Sequence, residues 1–173
     1  MPHSQMPTLL IVDDMPAEIK VVSSFLADRY NMLIATDGKT ALQIAESKQP
    51  DLILLDVMMP GMDGFDVCKH LKSNPKTNDI PVIFLTAKNQ SFDHAKGLFL
   101  GAVDFVPKPV NASLLQARLQ VHLHIHQLHT ELKEKQRSCR SRLKEAANLT
   151  ESAIEALGSH ETLLALRKLL NNG

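Results

Sequence analysis

Five polar side chains stand where short apolar runs stop. Asp13-Asp14 follow Leu9–Val12, Asp56 follows Leu52–Leu55, Thr86 follows Val82–Leu85, and Lys108 comes after the weaker Phe105–Val106. If these runs are neighbouring parallel strands, the five residues gather on one rim, at the carboxyl ends where open α/β sheets bind ligands. Three clustered carboxylates repel, and a cation is needed to make them tolerable. An all-oxygen set with few protein ligands favours Mg2+, which keeps several waters and takes a phosphate partner. The Lys108 ammonium and the Thr86 hydroxyl complement phosphoryl oxygens. A carboxylate with one oxygen free of the metal can attack phosphorus. The chain has no Gly-rich phosphate loop, so nucleotide hydrolysis has no support.

The rim exists only if the chain folds as its periodicity suggests. The apolar runs, with a further one at Met32–Ala35, are short and rich in β-branched residues. Amphipathic stretches of helical length lie between them: Pro16–Ala27, Lys39–Ser47, Gly64–Lys72 and Ser91–Leu100. Pro16 suits a first helical turn and Gly101 a helix stop. Strands this apolar must be covered on both faces, so the alternation predicts parallel βαβ units in an open, doubly wound α/β sheet with helices on both faces. Asp14, ahead of Pro16, also fits a helix cap, and Phe105 fits a core position. Asp63 and Asp66 read as capping and exposed residues of the third helix rather than as metal ligands.

Composition excludes several other functions. Nineteen Lys/Arg balance nineteen Asp/Glu, so no global field draws the chain to a polyanion. No apolar run is long enough to span a bilayer, and the first residues lack the shape of a signal peptide. Cys68 and Cys139 fall in separate helical contexts and read as reduced thiols. The expected location is cytoplasmic. All nine prolines lie at or before Pro109, and the remaining residues are rich in Leu, Ala, Lys, Arg and Glu. That change places a boundary near Pro109–Asn111, with Asn111 as an N-cap and a long helix after it.

Taken in order, these stretches resemble the receiver domain of two-component response regulators. The resemblance is carried by Ile11-Val12-Asp13-Asp14, by Asp56 through Gly64 (Asp-Val-Met-Met-Pro-Gly-Met-Asp-Gly), by Val82–Ala87, by Gly101–Phe105 and by Lys108-Pro109. It covers roughly residues 7–125. It implies a flavodoxin-like five-stranded parallel sheet in the order 2-1-3-4-5. By position, Asp56 matches the aspartate that takes a phosphoryl group from a histidine kinase. Asp13 and Asp14 match the acidic pair that holds Mg2+ with Asp56, and the Met58 backbone carbonyl matches the remaining protein ligand. Lys108 matches the lysine that contacts the phosphoryl group, and Thr86 a second contact to it. Thr86 and Phe105 match the hydroxyl and aromatic whose coupled rearrangement reports phosphorylation. The family's Lys–Pro peptide is cis. Val103 departs from the pattern, standing where an acidic residue is common, and Met58 and Lys88 occupy variable positions beside the phosphoryl group.

Residues 1–125 thus read as a receiver domain and 126–173 as an all-α helical extension. Within the extension, Ile125, Leu132, Cys139 and Ala146 form one heptad set; Val121, Leu128, Lys135, Arg142 and Leu149 form the other. This is a coiled-coil seam that two basic residues interrupt, and it suggests a homodimer. Gly158-Ser159 predict a break before a short final helix, Glu161–Leu170. His122, His126 and His129 share a helix face and read as solvated or interfacial rather than as a Zn2+ or Ni2+ site. Lys133–Lys144 holds six basic residues and reads as a solvated face. The tail carries no recognition-helix pattern, so DNA binding ranks last. The expected function is a phosphoacceptor, not an enzyme, whose partners are a histidine kinase or phosphotransfer protein and a downstream protein effector. The alternative is the regulatory half of a longer chain with an effector enzyme for cyclic-dinucleotide turnover or phosphatase chemistry.

Overall fold

The computed structural model of the chain describes residues 6–87 and 98–170. Five strands, β1 (Thr8–Val12), β2 (Asn31–Ala35), β3 (Leu52–Asp56), β4 (Val82–Ala87) and β5 (Asp104–Lys108), form one parallel sheet in the order β2-β1-β3-β4-β5. The helices are α1 (Pro16–Leu26), α2 (Gly38–Lys48), α3 (Gly64–Ser73) and α4 (Ala112–Leu170). Lys88 and most of the fourth amphipathic stretch, Ser91–Leu100, lie outside the described residues.

Side chains alternate across a strand, so each run feeds two cores. Leu10, Val12, Ile53, Leu55, Val82 and Phe84 enter one core with Ala41 and Ala45 of α2 and Phe65, Cys68 and Leu71 of α3. Leu9, Ile11, Leu52, Leu54, Ile83 and Leu85 enter the other with Ile19, Val22 and Leu26 of α1 and Leu115 and Leu119 of α4. This is why β1 and β3 read as continuous apolar runs. Every residue from Leu9 to Val12 and from Leu52 to Leu55 is fully buried, each contributing roughly 1.5–3 kcal/mol.

Local chemistry sets the helix starts. Pro16 opens α1 in its first turn. Asp37, Asp63 and Asn111 cap α2, α3 and α4 by accepting the backbone N–H of Thr40, Asp66 and Leu114 at 2.9, 2.8 and 3.0 Å. Gly101 sits at φ +96°, a conformation glycine adopts without steric cost, and ends the turn that its N–H closes on the Leu98 carbonyl.

α4 corrects one expectation. It runs unbroken for 59 residues through Gly158-Ser159, where a break had been expected. A single glycine costs a helix about 1 kcal/mol relative to alanine, too little to stop a chain rich in Ala, Leu and Glu on both sides and free of proline. The chain divides into two compact units, Met1–Gln127 and Leu128–Gly173. The side chains of Leu163, Leu166, Leu169 and Leu170, expected to need a partner surface, lie outside the described residues; Leu164 is exposed. Among the described residues, no helix is long and apolar enough to cross a membrane.

Candidate functional site

The strand register brings the polar residues together. Val12 pairs with Leu55, so Asp13 and Asp56 leave adjacent strands at the same level. Asp56 pairs with Leu85 and Thr86 with Pro107, which sets Thr86 and Lys108 at the same end of β4 and β5. Carboxylate oxygens of Asp13, Asp14 and Asp56 lie within 4.8 Å of one another. Lys108 Nζ donates to Asp13 Oδ2 at 2.7 Å and sits 2.8 Å from Asp56 Oδ1. The other oxygen of Asp13 accepts the Met15 N–H at 2.8 Å, which fixes the carboxylate's orientation. The Lys108-Pro109 peptide is cis.

Charge, not shape, governs this rim. Asp13 and Asp56 are 1% and 4% exposed, and Thr86 is 2% exposed. Burial pushes the Asp56 carboxyl above its ordinary range; Lys108 opposes this, and the charges of Asp13 and Asp14 reinforce it. Burial alone would lower the Lys108 ammonium, but its bonds to Asp13 and Asp56 outweigh that and hold it above its ordinary value. Among the described residues, three carboxylates face one ammonium, which leaves two negative charges unbalanced in a largely buried cluster. An oxygen set of this charge and spacing fits a small, hard divalent cation.

The loop after β3 carries Met58, whose side chain is 69% exposed. Gly64 folds this loop back by donating its N–H to the Val57 carbonyl at 3.0 Å. A Cβ at Gly64 would stand 2.2 Å from the Asp56 carbonyl oxygen, so no other residue lets α3 start this close to the acidic strand end. The signal for this in the sequence is a glycine that opens a helix directly after a capping aspartate.

Phe105 pairs with Phe84 across β4 and β5 and is half-buried against the core that α2 and α3 cover. The Arg118 guanidinium lies 5.7 Å from its ring centre. Arg118 also pairs with Asp104 Oδ1, and His122 Nε2 lies 3.1 Å from Asp104 Oδ2. β5 thus supplies a carboxylate to His122 from 18 residues away in sequence. Among the described residues, Asp13, Asp14 and Asp56 form the sole metal-compatible cluster. Cys68 and Cys139 are free thiols, buried and exposed respectively, and burial drives Cys68 up to about 11.

A doubly wound parallel sheet in this strand order, with its acidic rim facing one lysine, places the molecule among phosphorelay receivers. The chain belongs to that family: residues 9–120 match the response regulator receiver domain of two-component systems. It is 48% identical over 116 residues to a probable cyclic di-GMP phosphodiesterase of Vibrio cholerae, covering 67% of this chain and 26% of that protein. Response regulator PleD of Caulobacter vibrioides is 43% identical over 133 residues, 76% of this chain and 29% of its own. The chain therefore spans less than a third of either relative. Among solved structures, chemotaxis protein CheY4 of Vibrio cholerae matches with a TM-score of 0.64 at 32% identity, over 67% of this chain and 98% of that one.

Proposed function

We propose that the chain accepts a phosphoryl group on Asp56 from a histidine kinase or phosphotransfer protein, and passes the resulting change to its long helix and to protein partners. Residues 1–125 act as the receiver and 126–173 as the helical extension. One observation carries this reading: a largely buried cluster of three carboxylates, two of them bridged by the Lys108 ammonium and one of these at the end of the central strand.

The Asp56 carboxylate oxygen forms its bond to phosphorus as the bond from phosphorus to the donor's imidazole nitrogen breaks. Lys108, already 2.8 Å from Asp56, is within reach of a phosphoryl oxygen there. Asp13, Asp14, Asp56 and the Met58 carbonyl would hold Mg2+, which neutralises charge on the transferring group when bound. Thr86, buried at the adjacent strand end, contacts the new phosphoryl group, and Phe105 rearranges with it. In a purified sample with Mg2+, a small acyl phosphate should leave one label that survives acid, is lost in base and fails to form when Mg2+ is chelated. A label lost in acid and stable in base would mark phosphohistidine and contradict the reading.

The output is proposed to be protein–protein contact, including a homodimer through α4. Val121, Ile125, Leu128 and Leu132 continue at heptad spacing and are 46–62% exposed, more apolar surface than a lone helix leaves in water without a partner. Light scattering, with and without Mg2+ and beryllofluoride as phosphoryl mimic, should give a dimer in at least the loaded state. A monomer in both overturns the pairing. A second reading, a regulatory half joined to an effector enzyme, is favoured by the length of the relatives and by the phosphodiesterase among them. A longer reading frame encoding a catalytic domain would select it.

A further inference from the structure

The proposed switch has a geometric problem. Phe105 packs into the core covered by α2 and α3, whereas α4 packs through Leu115 and Leu119 into the core on the opposite face of the sheet. A ring movement on one face has no direct path to a helix on the other through the sheet between them. β5 is an edge strand, however, and its open side offers a way round.

Arg118 occupies that route. It projects from α4, one turn after the buried Leu115, and pairs with Asp104 at the start of β5. Its guanidinium lies against the Phe105 ring at 5.7 Å. The same Asp104 oxygen that accepts from Arg118 also accepts the Phe105 backbone N–H at 2.8 Å, so the carboxylate ties the aromatic's own main chain to the arginine. His122, one turn further along α4, approaches the second Asp104 oxygen at 3.1 Å. Two consecutive turns of the helix are thus pinned to the residue preceding Phe105. This pinning holds Asp104 below its ordinary carboxylate range despite burial, through Arg118, the Phe105 N–H and His122.

The arrangement is also incomplete. Among the described residues, Arg118 Nε is buried and has no hydrogen-bond partner. An orphaned buried donor is costly, so a rearranged state that satisfies it gains what this one lacks. A guanidinium with one unmet donor, stacked on the ring whose movement defines the switch, is poised to follow that ring.

We propose that Arg118 is the positioning residue that couples Phe105 to α4, with Asp104 as its anchor on β5. This rests on the phosphoacceptor reading, and regulates the same site. When the ring shifts, the guanidinium loses its stacking surface, the Asp104 contacts to Arg118 and His122 re-form, and the first turns of α4 register the change.

The test uses the full chain with Mg2+ and beryllofluoride. Fluorine NMR reads loading at Asp56, and backbone hydrogen exchange over residues 112–127 reads the helix. In the unsubstituted chain, loading should change exchange in this segment about tenfold, the scale of one charge-assisted contact made or lost. Arg118→Met should load equally and lose that response. Arg118→Lys, which keeps the charge but not the planar stack, should restore part of it. Asp104→Asn, nearly isosteric and safe for folding, should behave as Arg118→Met does. Full loading with an undiminished helix response in Arg118→Met and Asp104→Asn overturns the proposal and leaves phosphoacceptance standing. Failure of the unsubstituted chain to load overturns the phosphoacceptor reading itself.

Discussion

Asp56→Asn is expected to abolish labelling by an acyl phosphate and, in chelator, to raise the thermal midpoint at neutral pH. The first effect follows because Asp56, the last residue of β3, is the proposed acceptor, and the amide of asparagine is not a nucleophile toward phosphorus. The second follows from the direction of its titration. Burial raises the folded Asp56 above the carboxyl's ordinary 3.8, so the stability linked to it is complete below 3.8 and is lost as pH rises through the folded value. Above that value the fold carries at Asp56 a charge that burial disfavours, and the neighbouring Asp13 and Asp14 add to the cost. Asparagine keeps the shape and removes the charge. The midpoint should rise by a few degrees, the response of a domain this size to about 1 kcal/mol, and the advantage should vanish in acid. Melts at both pH values check this, and a lower midpoint at neutral pH would contradict the electrostatic account.

Lys108→Met should be damaging in both respects. It strips the bridging cation from a carboxylate 1% exposed and another 4% exposed, with Asp14 adjacent. Breaking a buried pair costs about 3–5 kcal/mol; because Lys108 itself is 21% exposed, about 2–3 kcal/mol is expected. Added Mg2+ should restore much of this loss, since it supplies charge to the same oxygens. Labelling should slow by about 10²–10³-fold, the usual effect of removing one donor aimed at developing negative charge. Denaturant melts with and without Mg2+, alongside the labelling rate, measure the two effects. An unchanged midpoint in chelator would mean that the rim tolerates its own repulsion.

Much of this was legible because one pattern serves two purposes. Runs such as Leu9–Val12 and Leu52–Leu55 are apolar because both faces of the sheet are covered, and the same parallel geometry sends Asp13, Asp56, Thr86 and Lys108 to one end. Capping residues were readable because their chemistry is local: Asp63 and Asn111 act within three residues of themselves. What stayed hidden depends on distance in space. Asp104 and His122 are 18 residues apart, and nothing in either segment reveals that an edge strand and a helix bring them together. The need for glycine at position 64 lies in the backbone of Asp56, not in its neighbours. Gly158 misled for the opposite reason: a local helix breaker was overruled by the helix propensity of the longer sequence around it.

The central claim is the chemical role of Asp56. The most direct test treats the chain with an acyl phosphate in Mg2+, traps the product by borohydride reduction and locates the altered residue by peptide mass spectrometry. The account predicts one phosphoryl group per chain and a single reduced aspartate, Asp56. Modification at Asp13, Asp14 or a histidine with Asp56 untouched would contradict it.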